Sequence, residues 1–120
     1  MLRLYWYPKC STCKNAQKWL EEQGKDVEFV DMIKEVPSKE KLEKWVKESG
    51  LPVRRFFNTS GQKYRALGLK DKVDGYTLEE ACQVLSTDGM LIKRPILVDN
   101  EDHFLTIGFH ENDYEGVFAS

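Results

Sequence analysis

The sequence predicts an α/β fold, and three observations along its 120 residues carry that reading. A strand signal rich in aromatic residues and leucine stands at the start, with helical periodicity directly behind it. A strand–turn–strand signal with a short helical tail closes the chain. Between them lies a charged section of helical character.

The elements follow in order. Residues 2–7 read as a short buried strand, ended by Pro8. From Thr12 onward Cys13, Ala16, Trp19 and Leu20 recur at helical spacing, with Ser11 or Thr12 as the expected N-cap and Gly24 as the C-terminal stop. Residues 27–31 alternate as a second strand. Pro37 and Ser38 open a charged helix that carries Leu42, Trp45 and Val46 on one face and stops at Gly50. Asn58, Thr59, Ser60 and Gly61 form a turn, and a short helix is predicted over 64–67. Thr77, Leu78, Glu79 and Glu80 fit a capping box, ahead of a helix whose inner face holds Leu78, Ala81, Cys82 and Leu85. "RPILVDN" and "HFLTIGF" are strand candidates joined as a hairpin at Asn100, Glu101 and Asp102, and residues 111–118 are expected to form a short helix.

Strand, helix, strand, then hairpin and helix, is the thioredoxin-like arrangement. The prediction is a βαβ-ββα core with a helical insertion, about 36–90, between the second and third strands. One such domain over residues 1–120 is expected, since a chain of this length buries a core without disulfide staples.

Composition narrows the function. With 41% hydrophobic and 32% charged residues the chain falls in the globular range. A formal charge of -2 argues against direct nucleic-acid binding, which needs a concentrated basic face. No apolar run approaches the roughly 20 residues that cross a bilayer. The n-region and h-region of a signal peptide are missing, so neither a membrane anchor nor a leader is expected. Three cysteines point to a reducing compartment, with the cytoplasm as default.

Cys10 and Cys13 stand at the junction of the first strand and first helix. They can be a redox pair, half of a metal site or two packing thiols, and the redox pair is favoured. Cys10 just ahead of a helix meets free N–H groups and the positive helix end, with Lys9 and Lys14 close in sequence. A thiol of pKa about 8.5 is only about 3% ionised at pH 7, whereas one near 6 is about 90% thiolate. Cys13, one turn further and facing inward, is placed to resolve a mixed bond at Cys10. A metal site lacks partners: Cys82 lies on an apolar helix face as a core residue, and His103 and His110 border the last strand without paired spacing. Neither a metal nor a bound cofactor is expected. In a thioredoxin-like fold the loop before the third strand passes beside the cysteines, often with a cis proline. Arg94, ahead of Pro95, then either reaches an anion at Cys10 or is a solvated surface charge, and the first reading is favoured mainly by the resemblance described next. Arg54, Arg55 and the 58–61 turn either line the same cleft or form a helix end and its loop.

Taken together, "YPKCSTCKNA", "NTSGQKYRALGL", "GMLIKRPILVD" and "GFHENDYEGVF" resemble the arsenate reductase and Spx (ArsC/Spx) family, over nearly the full chain and most of all its YusI/YffB-like branch. The resemblance implies a thiol oxidoreductase in which Cys10 is the nucleophile, Thr12 matches a threonine of the anion loop and Arg94 matches a family arginine. Other family donors are replaced. Lys14 stands for a loop arginine, Trp6 for a histidine and Asn58 for a middle arginine, while a late arginine falls near Ile107 and Gly108. Losing bidentate donors predicts inefficient arsenate reduction, because lysine does not reproduce the arginine fork. The implied substrate is a small oxyanion or a disulfide. The implied reductant is an external thiol of the glutathione, glutaredoxin or thioredoxin type. The Spx branch implies an alternative: a redox-sensing regulator that binds the RNA polymerase alpha subunit, switched by a Cys10–Cys13 disulfide. It shares Arg94, Pro95 and Ile96 and the 108–113 segment, but Pro52 and Val53 replace its Gly-Thr contact.

Overall fold

Leu2, Leu4 and Trp6 alternate along β1 (Leu2–Trp6) and so share one face of the strand. The computed structural model describes residues 1–119 and divides the chain into two compact units, Met1–Asp31 together with the stretch from Arg94 on, and Met32–Lys93.

In the first unit β1 pairs in parallel with β2 (Val27–Asp31) and antiparallel with β3 (Ile96–Val98), which pairs antiparallel with β4 (Phe104–Ile107). The sheet order is β2-β1-β3-β4. Leu2 lies opposite Val27, Leu4 opposite both Phe29 and Leu97, and this face carries the unit's core. Helix α1 (Ser11–Glu22) supplies Ala16, Trp19 and Leu20 to it, and α5 (Glu111–Phe118) supplies Tyr114 and Phe118. Trp19 meets Tyr114 edge-on at 5.7 Å and stacks on Phe118 at 6.0 Å. Arg3 crosses from β1 to Glu28 (3.3 Å) and to Asp102 of the hairpin turn (3.0 Å).

The second unit fills the chain between β2 and β3 with helices, as expected of the insertion. In α2 (Lys39–Ser49), the Ser38 hydroxyl accepts the Lys41 N–H at 3.1 Å and Gly50 ends the helix at φ 68°. The short α3 (Gln62–Ala66) starts two residues earlier than predicted, because the turn closes when Gly61 N–H donates to Asn58 O at 3.0 Å. In α4 (Leu78–Leu85) both halves of the predicted capping box form: Thr77 N–H donates to Glu80 Oε1 at 2.8 Å, and Glu80 N–H to Thr77 Oγ1 at 3.1 Å. Helices α2 and α4 pack together, burying Leu42, Trp45 and Val46 with Ala81, Cys82 and Leu85. Short 3₁₀ turns occupy Val53–Phe56, Leu69–Asp71, Val73–Gly75 and Gly89–Leu91. The two ends of the unit are tied by Asn58 N–H to Leu91 O and Lys93 N–H to Phe56 O, both 2.8 Å. Among the described residues no helix is long and apolar enough to cross a membrane.

Candidate active site

The site begins where β1 ends. Tyr7 O accepts the Cys10 N–H at 2.9 Å, which turns the chain through Pro8 and Lys9 and sets Cys10 in extended backbone, φ −93° and ψ 121°. Helix α1 then starts at Ser11, and its N-cap is Cys10 rather than Ser11 or Thr12. The Cys10 Sγ accepts the Cys13 N–H at 3.4 Å, the same i to i+3 bond that Ser38 and Thr77 make at 3.1 Å. The larger sulfur accounts for the longer distance. Cys13 is fully buried, on the helix face that holds Ala16, Trp19 and Leu20; Cys10 is half-buried, and all three cysteines are free thiols.

Arg94 arrives from the neighbouring strand. The antiparallel register sets Ile96 opposite Tyr5, so Arg94 comes level with Tyr7, and its Cζ lies 5.3 Å from the Tyr7 ring centroid. The Arg94–Pro95 peptide bond is cis. From here the guanidinium acts on the Cys10 sulfur by charge and by hydrogen bond.

These contacts divide the proton between the two thiols. Burial by itself raises the Cys10 pKa, but hydrogen bonds from the Cys13 side chain and backbone and the Arg94 guanidinium outweigh it, so the group ends below its ordinary value. Burial pushes Cys13 up to about 12; the Tyr7 backbone opposes this, while the hydrogen bond and charge of Cys10 add to it. Of the two thiols Cys10 therefore gives up its proton first, and the buried Cys13 keeps its own. A sulfur nucleophile facing solvent and a protonated thiol one helical turn behind it can form, then resolve, a covalent bond to an incoming group.

Pro95, Gly108 and Tyr114 stand behind this arrangement. Pro95 is buried, and its carbonyl accepts the Gly108 N–H at 2.8 Å. Gly108, at φ 73°, adopts a conformation that side-chain-bearing residues avoid. Its carbonyl in turn accepts the Tyr114 hydroxyl at 2.9 Å. Tyr114 was not visible as a site residue in the sequence, where it is one aromatic residue in a polar tail.

Thr12 and Lys14 lie exposed on the first turn of α1. Asn58 belongs to the second unit, where its Oδ1 accepts the Ser60 hydroxyl at 3.2 Å. Arg54 is engaged within that same unit. Its Nε and Nη2 meet the two Asp74 carboxylate oxygens at 3.0 Å each, Nη1 donates to the Tyr64 hydroxyl at 3.3 Å and Nη2 to Lys70 O at 3.2 Å. That bidentate clamp ties three turns together and favours the helix-end reading of Arg54 over an anion-binding one. An open groove of about 240 Å³ beside α1, lined by Asn15, Lys18, Trp19, Glu22, Phe109 and Glu111, contains neither cysteine. Among the described residues no group of three or more His, Cys, Asp or Glu side chains could hold a metal ion.

The buried thiols also set the alkaline stability. Burial raises Cys82 to about 11, as it raises Cys13 to about 12, both from 9.0. The folded chain keeps these protons where the unfolded chain releases them. Their contribution is complete below about pH 9 and is lost as pH rises towards 11–12. Cys10 acts in the opposite sense, adding stability as pH rises through its lowered folded pKa towards 9.0. Urea midpoints measured from pH 7 to 11 are therefore expected to hold or rise slightly up to about 9 and to fall beyond it, with Cys82→Ala flattening the fall.

Fold and site together define a thioredoxin-like protein with a cysteine pair at the head of its first helix. The chain belongs to the ArsC family, whose model matches residues 5–117. An uncharacterized Bacillus subtilis protein, YusI, is 48% identical over 98% of each chain. The solved structure of a "possible arsenate reductase" from Streptococcus mutans UA159 superposes with a TM-score of 0.87 at 48% identity, covering 92% of each chain. More distant relatives carry two different names. An arsenate reductase of Acidiphilium multivorum is 26% identical over 81% of this chain and 67% of its own, and the global transcriptional regulator Spx of Lactiplantibacillus plantarum is 24% identical over 94% and 83%.

Proposed function

We propose that the protein is a thiol oxidoreductase in which Cys10 attacks and Cys13 resolves. The observation that carries this reading is the Cys13 N–H bond to the Cys10 sulfur, with Arg94 on the same atom and the Cys13 thiol buried behind it. With a disulfide RSSR′, the Cys10 thiolate forms a Cys10–SR bond and R′S⁻ leaves. This first step removes the negative charge of Cys10, one of the causes that hold the Cys13 pKa up. Cys13 then gives up its proton more readily, attacks the Cys10 sulfur and expels RS⁻. The substrate gains two electrons, and the Cys10–Cys13 disulfide that remains is reduced by an external thiol of the glutathione, glutaredoxin or thioredoxin type. A small oxyanion is the other substrate class, with Thr12, Lys14, Arg94 and Pro95 of the first unit as the anion-binding set. With Lys14 and Asn58 where the family carries arginines, arsenate is expected to be a poor substrate.

The test is a trap. Cys13→Ser is expected to accumulate a mixed disulfide on Cys10 when mixed with oxidised glutathione, seen as an added glutathionyl mass on the peptide containing Cys10, while multiple turnover fails. An adduct that never forms, or forms on Cys82, would remove the basis of the reading. A second reading starts from relatives named as the global transcriptional regulator Spx: in it the chain is a redox-switched cytoplasmic regulator that binds the RNA polymerase alpha subunit, as the resemblance to Spx implies. Catalytic turnover with a reductant favours the oxidoreductase, and stoichiometric capture of alpha subunit by only one redox form favours the regulator.

A further inference from the structure

We propose that Tyr114 is a positioning residue for the candidate nucleophile, its hydroxyl holding Arg94 against Cys10 through the peptide groups of Gly108 and Pro95. This deepens the thiol-oxidoreductase reading and rests on it.

The path is continuous. Tyr114 Oη donates to Gly108 O at 2.9 Å, and Gly108 N–H donates to Pro95 O at 2.8 Å. Pro95 is joined to Arg94, whose guanidinium stands 5.3 Å from the Tyr7 ring and donates to the Cys10 sulfur. Both ends of the Gly108 residue are thus bonded: the N–H to the residue following Arg94, the C=O to Tyr114. Tyr114 is itself immobilised. It is fully buried, with Trp19 edge-on at 5.7 Å and Phe109 edge-on at 4.9 Å, so its hydroxyl has one direction in which to donate. A buried phenol needs such a partner, but it need not have been this one. Here it grips the residue after β4 that is bonded to Pro95, just ahead of β3.

Arg94 has a long, flexible side chain, and a thiolate gains from a guanidinium only when the donor is held at the sulfur. Fixing the backbone next to Arg94 reduces the orientations it can sample. The groups that face Cys10 are Cys13 from α1, Tyr7 from the end of β1 and Arg94; Lys9 and Lys14 are exposed neighbours in sequence. Those acting on Tyr114 are the Cys13 sulfur and Asp113.

Tyr114→Phe tests this, since it keeps the ring and deletes one oxygen. The readout is the pH dependence of Cys10 alkylation by iodoacetamide, followed by the mass of the peptide containing Cys10. The midpoint is expected to rise by about half a pH unit, slowing alkylation below the midpoint about threefold. Arg94→Gln is expected to raise it by about one unit, and adding Tyr114→Phe to Arg94→Gln to change nothing further, because the two act along one path. Phe118→Leu, which loosens the Trp19 stack without touching the hydroxyl, is the stability control and is expected to leave the midpoint in place. An unmoved midpoint in Tyr114→Phe overturns the proposal, as does an equal shift in the Arg94→Gln background or in Phe118→Leu. If the wild-type midpoint is itself that of an ordinary cysteine, the reading of Cys10 as an activated nucleophile falls together with the proposal. A lowered wild-type midpoint that Tyr114→Phe leaves in place removes only the positioning role.

Discussion

Cys10→Ser is expected to abolish disulfide turnover, with a loss on the order of 10³-fold or more, while leaving the protein as stable as before. The two halves of this expectation have different causes. Cys10 has a structural duty as the N-cap of α1, where its sulfur accepts the Cys13 N–H at 3.4 Å. Serine is among the best residues for that duty, and its shorter bonds suit the position. The urea midpoint should therefore hold or rise. The chemistry does not survive, because an alcohol remains protonated even beside Arg94 and oxygen forms no bond equivalent to a disulfide. Cys10→Ala removes both roles and is expected to cost about 1 kcal/mol of stability as well. Initial rates of oxidised glutathione reduction, measured beside urea titrations on all three proteins, separate the cap from the nucleophile. Turnover by the serine variant at the wild-type rate would leave Cys10 as a cap and nothing more.

The same double duty explains which features could be read from the sequence. Elements defined by their own local composition or periodicity were legible: the aromatic and leucine run of β1, one residue shorter than the expected 2–7, the alternation in β2, the Leu42, Trp45 and Val46 stripe in α2 and the Thr77 capping box all formed. The cap of α1 was misread because sulfur is not among the usual capping atoms, although the i to i+3 spacing of Cys10 and Cys13 was in view. Features made by distant pairs were not legible. The bond between Arg54 and Asp74 links residues twenty apart, and no local pattern distinguishes it from a free arginine near a turn. Tyr114 is a stronger case. In sequence it is an aromatic residue flanked by Asp113 and Glu115, and only the packing of α5 on α1 shows that its ring is buried and its hydroxyl directed at Gly108. The 3₁₀ turns are too short to carry a period.

Gly89→Ala is expected to destabilise the protein by about 3 kcal/mol. Gly89 begins the buried turn Gly89–Leu91, and it is backbone that lies against it. A Cβ at this position would overlap the Met32 carbonyl oxygen and come within 3.0 Å of its carbon and 3.1 Å of Ile33 Cα. A flexible side chain could swing aside, but a backbone segment moves only with its neighbours. Those neighbours are fixed. Met32 is fully buried, Leu91 and Ile92 are in the core, and the turn is held by Asp88 Oδ1 accepting the Met90 N–H at 2.8 Å. Relief would therefore come from displacing the turn, which carries the bonds of Leu91 O to Asn58 and of Ile92 N–H to Gly89 O. Against a typical total of about 5–15 kcal/mol, such a loss is large enough to see as a shift in the urea midpoint at unchanged slope. Gly75, with nothing near its Cβ direction, provides the contrast: Gly75→Ala is expected to change stability by no more than about 0.5 kcal/mol. If Gly89→Ala behaved like Gly75→Ala, the Met32 backbone would have to yield freely, and the close approach would not be what holds this turn in place.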